Sequence, residues 1–265
     1  MMGKTPSPLT PDGLAALVRA RELLLMLDYD GTLVPMAPLP HLATPSPEIL
    51  NALQRLAGTP GRVVAVISGR RLEELQVMLP LTGLYLAGTH GAEWRNPGGR
   101  IYRRLDPASF KKMMDILEAM AVECVNGKDG FLIENKGLSL ALHYRRAEPA
   151  AAVETLNKFH RRILPVINKH GLEVLPGRKV VEIRPRGVNK GIMVQYLCRR
   201  YPQAFPLYFG DDRTDEDAFA ALEGGWGILV SPAPRPSAAT FSLSSPREVY
   251  RVLLLLNGNG RPGWQ

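Results

Sequence analysis

Three short apolar segments, each stopped by a cluster of small and acidic residues, constrain the fold of this chain more tightly than any other feature. Leu23–Leu27 is apolar at all five positions and gives way at once to Asp28-Tyr29-Asp30-Gly31-Thr32. Arg62–Ile67 contains Val63, Val64, Ala65 and Val66 and ends at Ser68-Gly69-Arg70; Pro206–Phe209 ends at Gly210-Asp211-Asp212. A strand apolar at every position is buried on both faces, as a parallel strand is when helices cover it from either side. The intervals supply those helices. Pro47–Leu56 (with Ser46 as N-cap), Leu72–Met78, Asn189–Tyr201, Asp215–Leu222 and Pro246–Leu256 have helical spacing. Leu14–Arg21 is a shorter helix, and Leu84–Ala87 and Trp226–Val230 add two strands. The alternation predicts an α/β fold with a Rossmann-like three-layer parallel-sheet core.

The pattern changes after Trp94. Asn96-Pro97-Gly98-Gly99 is a turn. Beyond it, Ser109–Cys124 and Pro149–His170 read as amphipathic helices, the second kinked or broken near its end by Pro165. Phe131–Asn135 with Ser139–Tyr144, and Leu172–Leu175 with Lys179–Arg184, alternate as hairpins around Lys136-Gly137 and Pro176-Gly177. These elements predict an inserted α+β cap domain. The expected divisions are a flexible tail over 1–12, core over 13–96, cap over 97–187 and core again over 188–265.

Charge narrows the partners. The net charge of +8 is uneven: residues 96–188 hold 17 Lys/Arg against 10 Asp/Glu, and the rest of the chain is nearly balanced. Without an aromatic-rich RNA motif or zinc finger beside it, that charge points to a small anion and away from nucleic acid. The longest apolar runs, Leu23–Leu27 and Val252–Leu256, are too short to span a bilayer. The start, with Lys4 before a Pro-rich stretch, has no apolar signal core, and Cys124 and Cys198 have no metal-type spacing. A cytoplasmic protein with reduced cysteines, no membrane partner and no obligate protein partner is expected.

The strand ends carry the chemistry. In an open parallel sheet the ligand crevice lies at the carboxyl ends of the strands, so Asp28–Thr32, Ser68–Arg70 and Gly210–Asp215 should meet. Carboxylates from two such ends make a hard oxygen site suited to Mg2+. In Asp28-x-Asp30 one carboxylate can attack phosphorus while the other protonates the departing alkoxide and then activates water. Gly31 and Thr32 suit a tight turn whose N–H groups face an anion. Ser68 offers a hydroxyl and its N–H, and Lys190, near a helix N-terminus, offers a cation. Singly these pieces are ordinary: Asp-x-Asp is a common solvated turn, and Asp211, Asp212 and Asp215 suit a helix N-cap.

Taken in order, the pieces resemble the four motifs of the haloacid dehalogenase superfamily: Asp28-Tyr29-Asp30-Gly31-Thr32-Leu33, Ser68-Gly69-Arg70, Lys190, and Gly210-Asp211-Asp212-x-Thr214-Asp215. The resemblance implies Asp28 as nucleophile, Asp30 as general acid and base, and Gly31, Thr32, Ser68, Gly69 and Lys190 around the phosphate. It also implies Mg2+ held by Asp28, Asp211 and the Asp30 carbonyl, with Asp212 or Asp215 in support, and a C2-type cap between the second and third motifs. A narrower resemblance is to trehalose-6-phosphate phosphatases, carried by LDYDGTL, ISGR, GTHGAE, PGRKVVEIRP, NKG and GDDRTDEDAF. It implies a sugar phosphate as the small-molecule partner, with Arg70, His90, Gly91, Arg145, Lys179, Glu182 and Arg184 as substrate contacts and the positive cap closing over it. Independently, period-2 spacing puts Glu182 and Arg184 on one side of a strand, opposite Val181 and Ile183. Phosphatases of sucrose, glucosylglycerol or mannosylglycerate phosphate share the core motifs and remain alternatives, as does a non-catalytic sugar-phosphate sensor. A sensor would have no need to keep Asp28, Asp30, Lys190 and Asp211 together.

Overall fold

The computed structural model of the chain describes residues 4–177 and 179–258. They fall into two units, Met1–Tyr102 with Asn189–Gln265, and Arg103–Val188. In chain order the elements are β1 (Ser7–Pro8), α1 (Pro11–Arg19), β2 (Leu23–Leu27), α2 (Pro47–Ala57), β3 (Arg62–Ile67), α3 (Leu72–Met78), β4 (Tyr85–Gly88), β5 (Glu93–Arg95) and β6 (Ile101–Arg103). Then come α4 (Pro107–Val125), β7 (Leu132–Asn135), β8 (Leu140–His143), α5 (Pro149–His170), β9 (Leu172–Gly177) and β10 (Val180–Pro185). The last part holds α6 (Lys190–Arg200), β11 (Phe205–Gly210), α7 (Glu216–Ala220), β12 (Trp226–Val230), β13 (Phe241–Leu243) and α8 (Pro246–Leu256).

Among the described residues the first unit has a nine-stranded sheet, β1-β13-β12-β11-β2-β3-β4-β5-β6. Neighbours from β1 to β4 run parallel, and β5 returns antiparallel to β4. The alternation of β2 divides two cores. Leu23, Leu25 and Leu27 pack with Leu17 of α1, Leu53 of α2, Leu75 of α3 and Val252 of α8. Leu24 and Met26 pack with Val194 and Leu197 of α6 and Phe219 of α7. Side chains on alternate faces of one strand thus generate the three layers. Burying one leucine contributes roughly 1.5–3 kcal/mol, so a register slip, which would move all five residues of β2 at once, is strongly opposed. The order reverses between β2, whose next partners are β3 and β4, and β11, which leads to β12 and β13. Asp28, Ser68 and Asp211 follow the carboxyl ends of three adjacent strands at this switch.

Several sequence expectations shift. The loose tail is corrected over residues 4–12: Ser7–Pro8 pairs with Phe241–Ser242, Leu9 is buried, and Thr10 caps α1 through the Gly13 N–H. Residues 1–3 lie outside the described residues. The Asn96–Gly99 turn links β5 and β6 within the main sheet, so the first division falls at 102/103 and not 96/97; the second falls at 188/189. Helix α5 runs through Pro165 without a break.

The second unit has a four-stranded antiparallel sheet, β7-β8-β10-β9. Met114 and Leu117 of α4 and Phe159 and Ile163 of α5 pack on Leu140, Leu142 and Ile183. The alternate residues turn to the other face. There Glu134 and Glu182 both pair in register with Ala141, and Arg184 pairs with Glu173. No helix among the described residues is long and apolar enough to cross a membrane.

Candidate active site

Asp28 is the first residue beyond β2, and its N–H still donates to Phe209 O of β11 at 2.9 Å, which fixes where its side chain leaves the sheet. Its carboxylate is buried, with Lys190 Nζ 2.6 Å from Oδ1. Lys190 opens α6, whose N-cap Asn189 accepts from the Ile192 N–H, and its ammonium also lies 2.7 Å from Asp215 Oδ1. Burial alone would lower the Lys190 pKa; the Asp215 and Asp28 carboxylates outweigh it and raise it. This lysine is a fixed positive charge.

One ammonium does not balance the carboxylates around it. Oxygens of Asp28, Asp211 and Asp215 come within 4.8 Å of one another. At that distance, two like charges repel by roughly 3–4 kcal/mol at an effective dielectric of 20. Burial, then Asp215, pushes Asp28 up to about 7 despite Lys190, and burial, then Asp28, pushes Asp211 up to about 9. Asp211 Oδ1 is buried without a partner among the described residues. A cluster of hard oxygens with surplus negative charge and an orphaned carboxylate oxygen fits a divalent cation.

The three acidic residues of the fourth motif separate into different roles. Asp215 is fully buried, and its four acceptor positions are taken: Oδ1 accepts from Lys190 Nζ and Tyr208 OH, each at 2.7 Å, and Oδ2 from the Asp211 and Asp212 N–H groups, each at 3.0 Å. A carboxylate offers about four lone-pair sites, so Asp215 organises the loop through these four bonds while its oxygens lie within the acidic cluster. Asp212 caps the following turn, accepting from the Arg213 N–H at 2.6 Å, and stands outside the cluster. Of the three, Asp211 has the free oxygen. The sequence placed Asp212 and Asp215 with the metal; the structure keeps Asp215 within the acidic cluster and leaves Asp212 outside it.

The phosphate-binding expectations also change in detail. The Gly31 N–H donates to Val34 O at 2.8 Å and the Ser68 N–H to Ala87 O at 2.9 Å, so neither is offered to an anion. What Gly31 provides is passage: its φ is +82°, and a Cβ there would stand 2.2 Å from Asp211 Oδ2. The Thr32 hydroxyl is buried and without a partner among the described residues. The Ser68 hydroxyl accepts from the Arg70 N–H at 3.2 Å.

Arg70, expected at the substrate, is turned onto Asp30. Its Nε and Nη2 hold the two Asp30 oxygens at 2.6 Å each, Nη2 reaches Pro40 O at 2.8 Å, and the guanidinium lies over the Tyr29 ring. His90 and Gly91 lie beneath. Thr89 and His90 both have positive φ, and their N–H groups hold the Arg70 and Ser68 carbonyls at 2.7 and 2.9 Å. The His90 ring sits where a Gly69 Cβ would come within 2.7 Å of it, and Gly91 faces Met193. The strained turn fastens the Ser68–Arg70 loop, which is a local use of backbone strain.

In the second unit, Glu182 is buried and accepts from Ser139 Oγ at 2.7 Å, with Lys136 Nζ at 3.5 Å. Arg184 Nε donates to Glu173 at 2.7 Å. Lys179, at φ +65°, lies over the Tyr144 ring, and Arg145 is exposed. Arg178 lies outside the described residues. Sequence reasoning missed Lys136, Ser139 and Glu134. Glu134 Oε2 lies 3.0 Å from His143 Nε2 and accepts from it in the tautomer that carries the hydrogen there. Burial would raise its pKa, but His143 and Lys136 bring it below the usual value. The signal was available in the hairpin: alternation along Phe131–Asn135 puts Glu134 on the polar face, opposite the small Ala141.

The fold brings an acidic cluster and a buried lysine together at the switch point of a parallel sheet, an arrangement suited to phosphoryl transfer. The Trehalose-phosphatase family model matches residues 26–247, and the chain belongs to this family of phosphoric monoester hydrolases. It is 35% identical over 266 residues to "Probable trehalose-phosphate phosphatase 4" of Oryza sativa subsp. japonica, covering 96% of this chain and 71% of that protein. It is also 35% identical over 238 residues to the bifunctional trehalose-6-phosphate synthase/phosphatase of Thermoproteus tenax, covering 89% of this chain but 32% of the larger protein. Among solved structures, the C-terminal domain of C. albicans trehalose-6-phosphate phosphatase superposes with a TM-score of 0.86 at 28% identity, covering 97% of this chain and 99% of that one.

Proposed function

We propose that the protein hydrolyses trehalose 6-phosphate to trehalose and phosphate, with Asp28 as nucleophile. The observation that carries this reading is the Asp28 carboxylate held 2.6 Å from Lys190 beside Asp211, at the carboxyl end of a central parallel strand. Asp28 attacks phosphorus in line, the bond from phosphorus to the sugar oxygen breaks, and Asp30 supplies the proton that oxygen takes up. Asp30 then removes a proton from water, which attacks the aspartyl-phosphate and restores Asp28. Lys190 and the Thr32 and Ser68 hydroxyls, with the Gly69 peptide, stabilise the phosphoryl oxygens, mostly by position and charge. Mg2+ is the cation best suited to the Asp28 and Asp211 carboxylates and the Asp30 carbonyl; when bound it offsets the repulsion between phosphate and nucleophile.

Sugar recognition falls to the second unit on this reading, with Glu182 as principal hydroxyl acceptor and Lys179, Arg145 and Arg184 as further contacts. The two free cysteines among the described residues, Cys124 and Cys198, support a reducing compartment, the cytoplasm. Released phosphate measured across a panel of phosphorylated sugars tests the substrate. Trehalose 6-phosphate should exceed sucrose, glucosylglycerol and mannosylglycerate phosphates by at least about tenfold in kcat/KM; a different sugar at the head would overturn it.

A further inference from the structure

We infer that Arg235, which lies outside every motif, is a positioning residue for the cation-binding loop Asp211–Asp212. Asp211 and Asp212 are gripped on both sides of the backbone. Their N–H groups go to Asp215 Oδ2, and their carbonyls both accept from Arg235 Nη2, at 3.2 and 3.4 Å. The other arm of the guanidinium, Nη1, is fixed by Glu216 Oε1 at 2.6 Å and reaches Pro236 O at 3.2 Å. Glu216 is itself locked: its Oε2 accepts from Ser237 Oγ at 3.0 Å and from the Ala238 N–H at 2.8 Å. The segment after β12 therefore reaches back to hold the loop after β11.

The holding has a purpose at Asp211. Its carboxylate bears the orphaned oxygen, and no described side chain fixes that oxygen. The direction of the side chain is thus set by its backbone, and the backbone is set by Asp215 and Arg235. Arg235 is also a cation close to a site that takes a cation. By charge alone it would weaken metal binding, so its presence at the loop is explained by geometry.

The opposed signs make the inference testable, and it rests on the reading of Asp211 as a metal ligand. Mg2+ alone is titrated calorimetrically into the wild-type protein and the Asp211→Asn, Arg235→Ala and Arg235→Lys variants, without substrate. Arg235→Ala should bind Mg2+ about tenfold more weakly, the scale of losing an outer partner of a metal ligand. Arg235→Lys keeps the charge but cannot serve Glu216 and two carbonyls through separate planar arms, so it should also bind more weakly. Equal or tighter binding in Arg235→Ala, with or without a lower melting temperature of the metal-free protein, overturns the positioning role. Should that variant not fold, wild-type affinity in Arg235→Lys overturns it. Wild-type protein that binds Mg2+ no better than Asp211→Asn sinks the metal reading instead.

Discussion

Arg70 and Asp30, 40 residues apart in the chain, are joined by two hydrogen bonds of 2.6 Å that engage both carboxylate oxygens. The fork also reaches Pro40 O and stacks on Tyr29, so Asp30 is held in one orientation by a rigid, buried partner. Bidentate contacts of this kind add geometric specificity as well as energy.

If Arg70 aims Asp30, its loss should matter most when the leaving group needs a proton. Arg70→Ala should lower kcat on trehalose 6-phosphate by roughly 10- to 100-fold, within the range of general acid catalysis. With p-nitrophenyl phosphate, whose leaving group departs unprotonated, the first chemical step should fall much less. Single-turnover rates with the two esters check this; equal losses would return Arg70 to simple substrate binding.

Asp28→Asn removes the proposed nucleophile and one of three crowded carboxylates. Phosphate release should drop by at least about 10³-fold, as expected when a covalent route is closed. The metal-free fold should survive with little change in melting temperature, since Lys190 keeps Asp215 as a partner at 2.7 Å. Residual turnover near the wild-type level would exclude Asp28 as the attacking group.

The acidic cluster also predicts a pH dependence. Asp28 and Asp211 are raised in the folded protein to about 7 and about 9, by burial first and then by Asp215 at Asp28 and by Asp28 at Asp211, against an unfolded value near 3.9. Between these values the folded chain binds more protons than the unfolded chain, so the contribution of these groups to stability falls as pH rises. In the absence of metal, that loss should run from about pH 4 to about pH 9. A cation that binds only deprotonated carboxylates should raise the melting temperature more at pH 9 than at pH 5. Melting curves with and without Mg2+ across this range give the answer, and a metal effect that shrinks with pH would contradict the cluster's assignment.

Glu182→Ala should cut kcat/KM for trehalose 6-phosphate by about 10- to 100-fold, the equivalent of one or two charge-assisted hydrogen bonds, while a small generic phosphomonoester is hydrolysed nearly as before. Ser139→Ala, which removes the 2.7 Å donor to Glu182, should shift the same ratio less. Parallel losses on both esters in Glu182→Ala would remove sugar reading from this face.

Much of the core was legible because burial writes itself into composition. Strands β2, β3 and β11 are covered on both faces, so their apolar runs stand out, and the acidic turns that end them mark the crevice. The elements that escaped notice are short and peripheral. Ser7–Pro8, Glu93–Arg95, Ile101–Arg103 and Phe241–Leu243 are two or three residues long. Strands of that length at sheet margins need no periodic apolar pattern, and partners far away in the chain hold them. The missed contacts to Glu182 have the same origin, since Lys136 and Ser139 meet it only when β10 pairs with β8.

The sequence alone determined which side chains are available to the site, because Asp28, Lys190 and Asp211 sit at strand ends or at a helix start that local burial and capping already dictate. Tertiary structure decided what each of them does. Asp215 became a saturated organiser and Asp211 kept an unpartnered oxygen only once a short turn brought an Asp215 oxygen onto the Asp211 and Asp212 N–H groups, with Tyr208 and Lys190 on the other oxygen. Arg70, expected at the substrate, forks onto both oxygens of Asp30, and Arg235 entered from outside every motif. Carboxylates and guanidiniums of one type are interchangeable along a chain; the donors and acceptors that folding places around each of them are not.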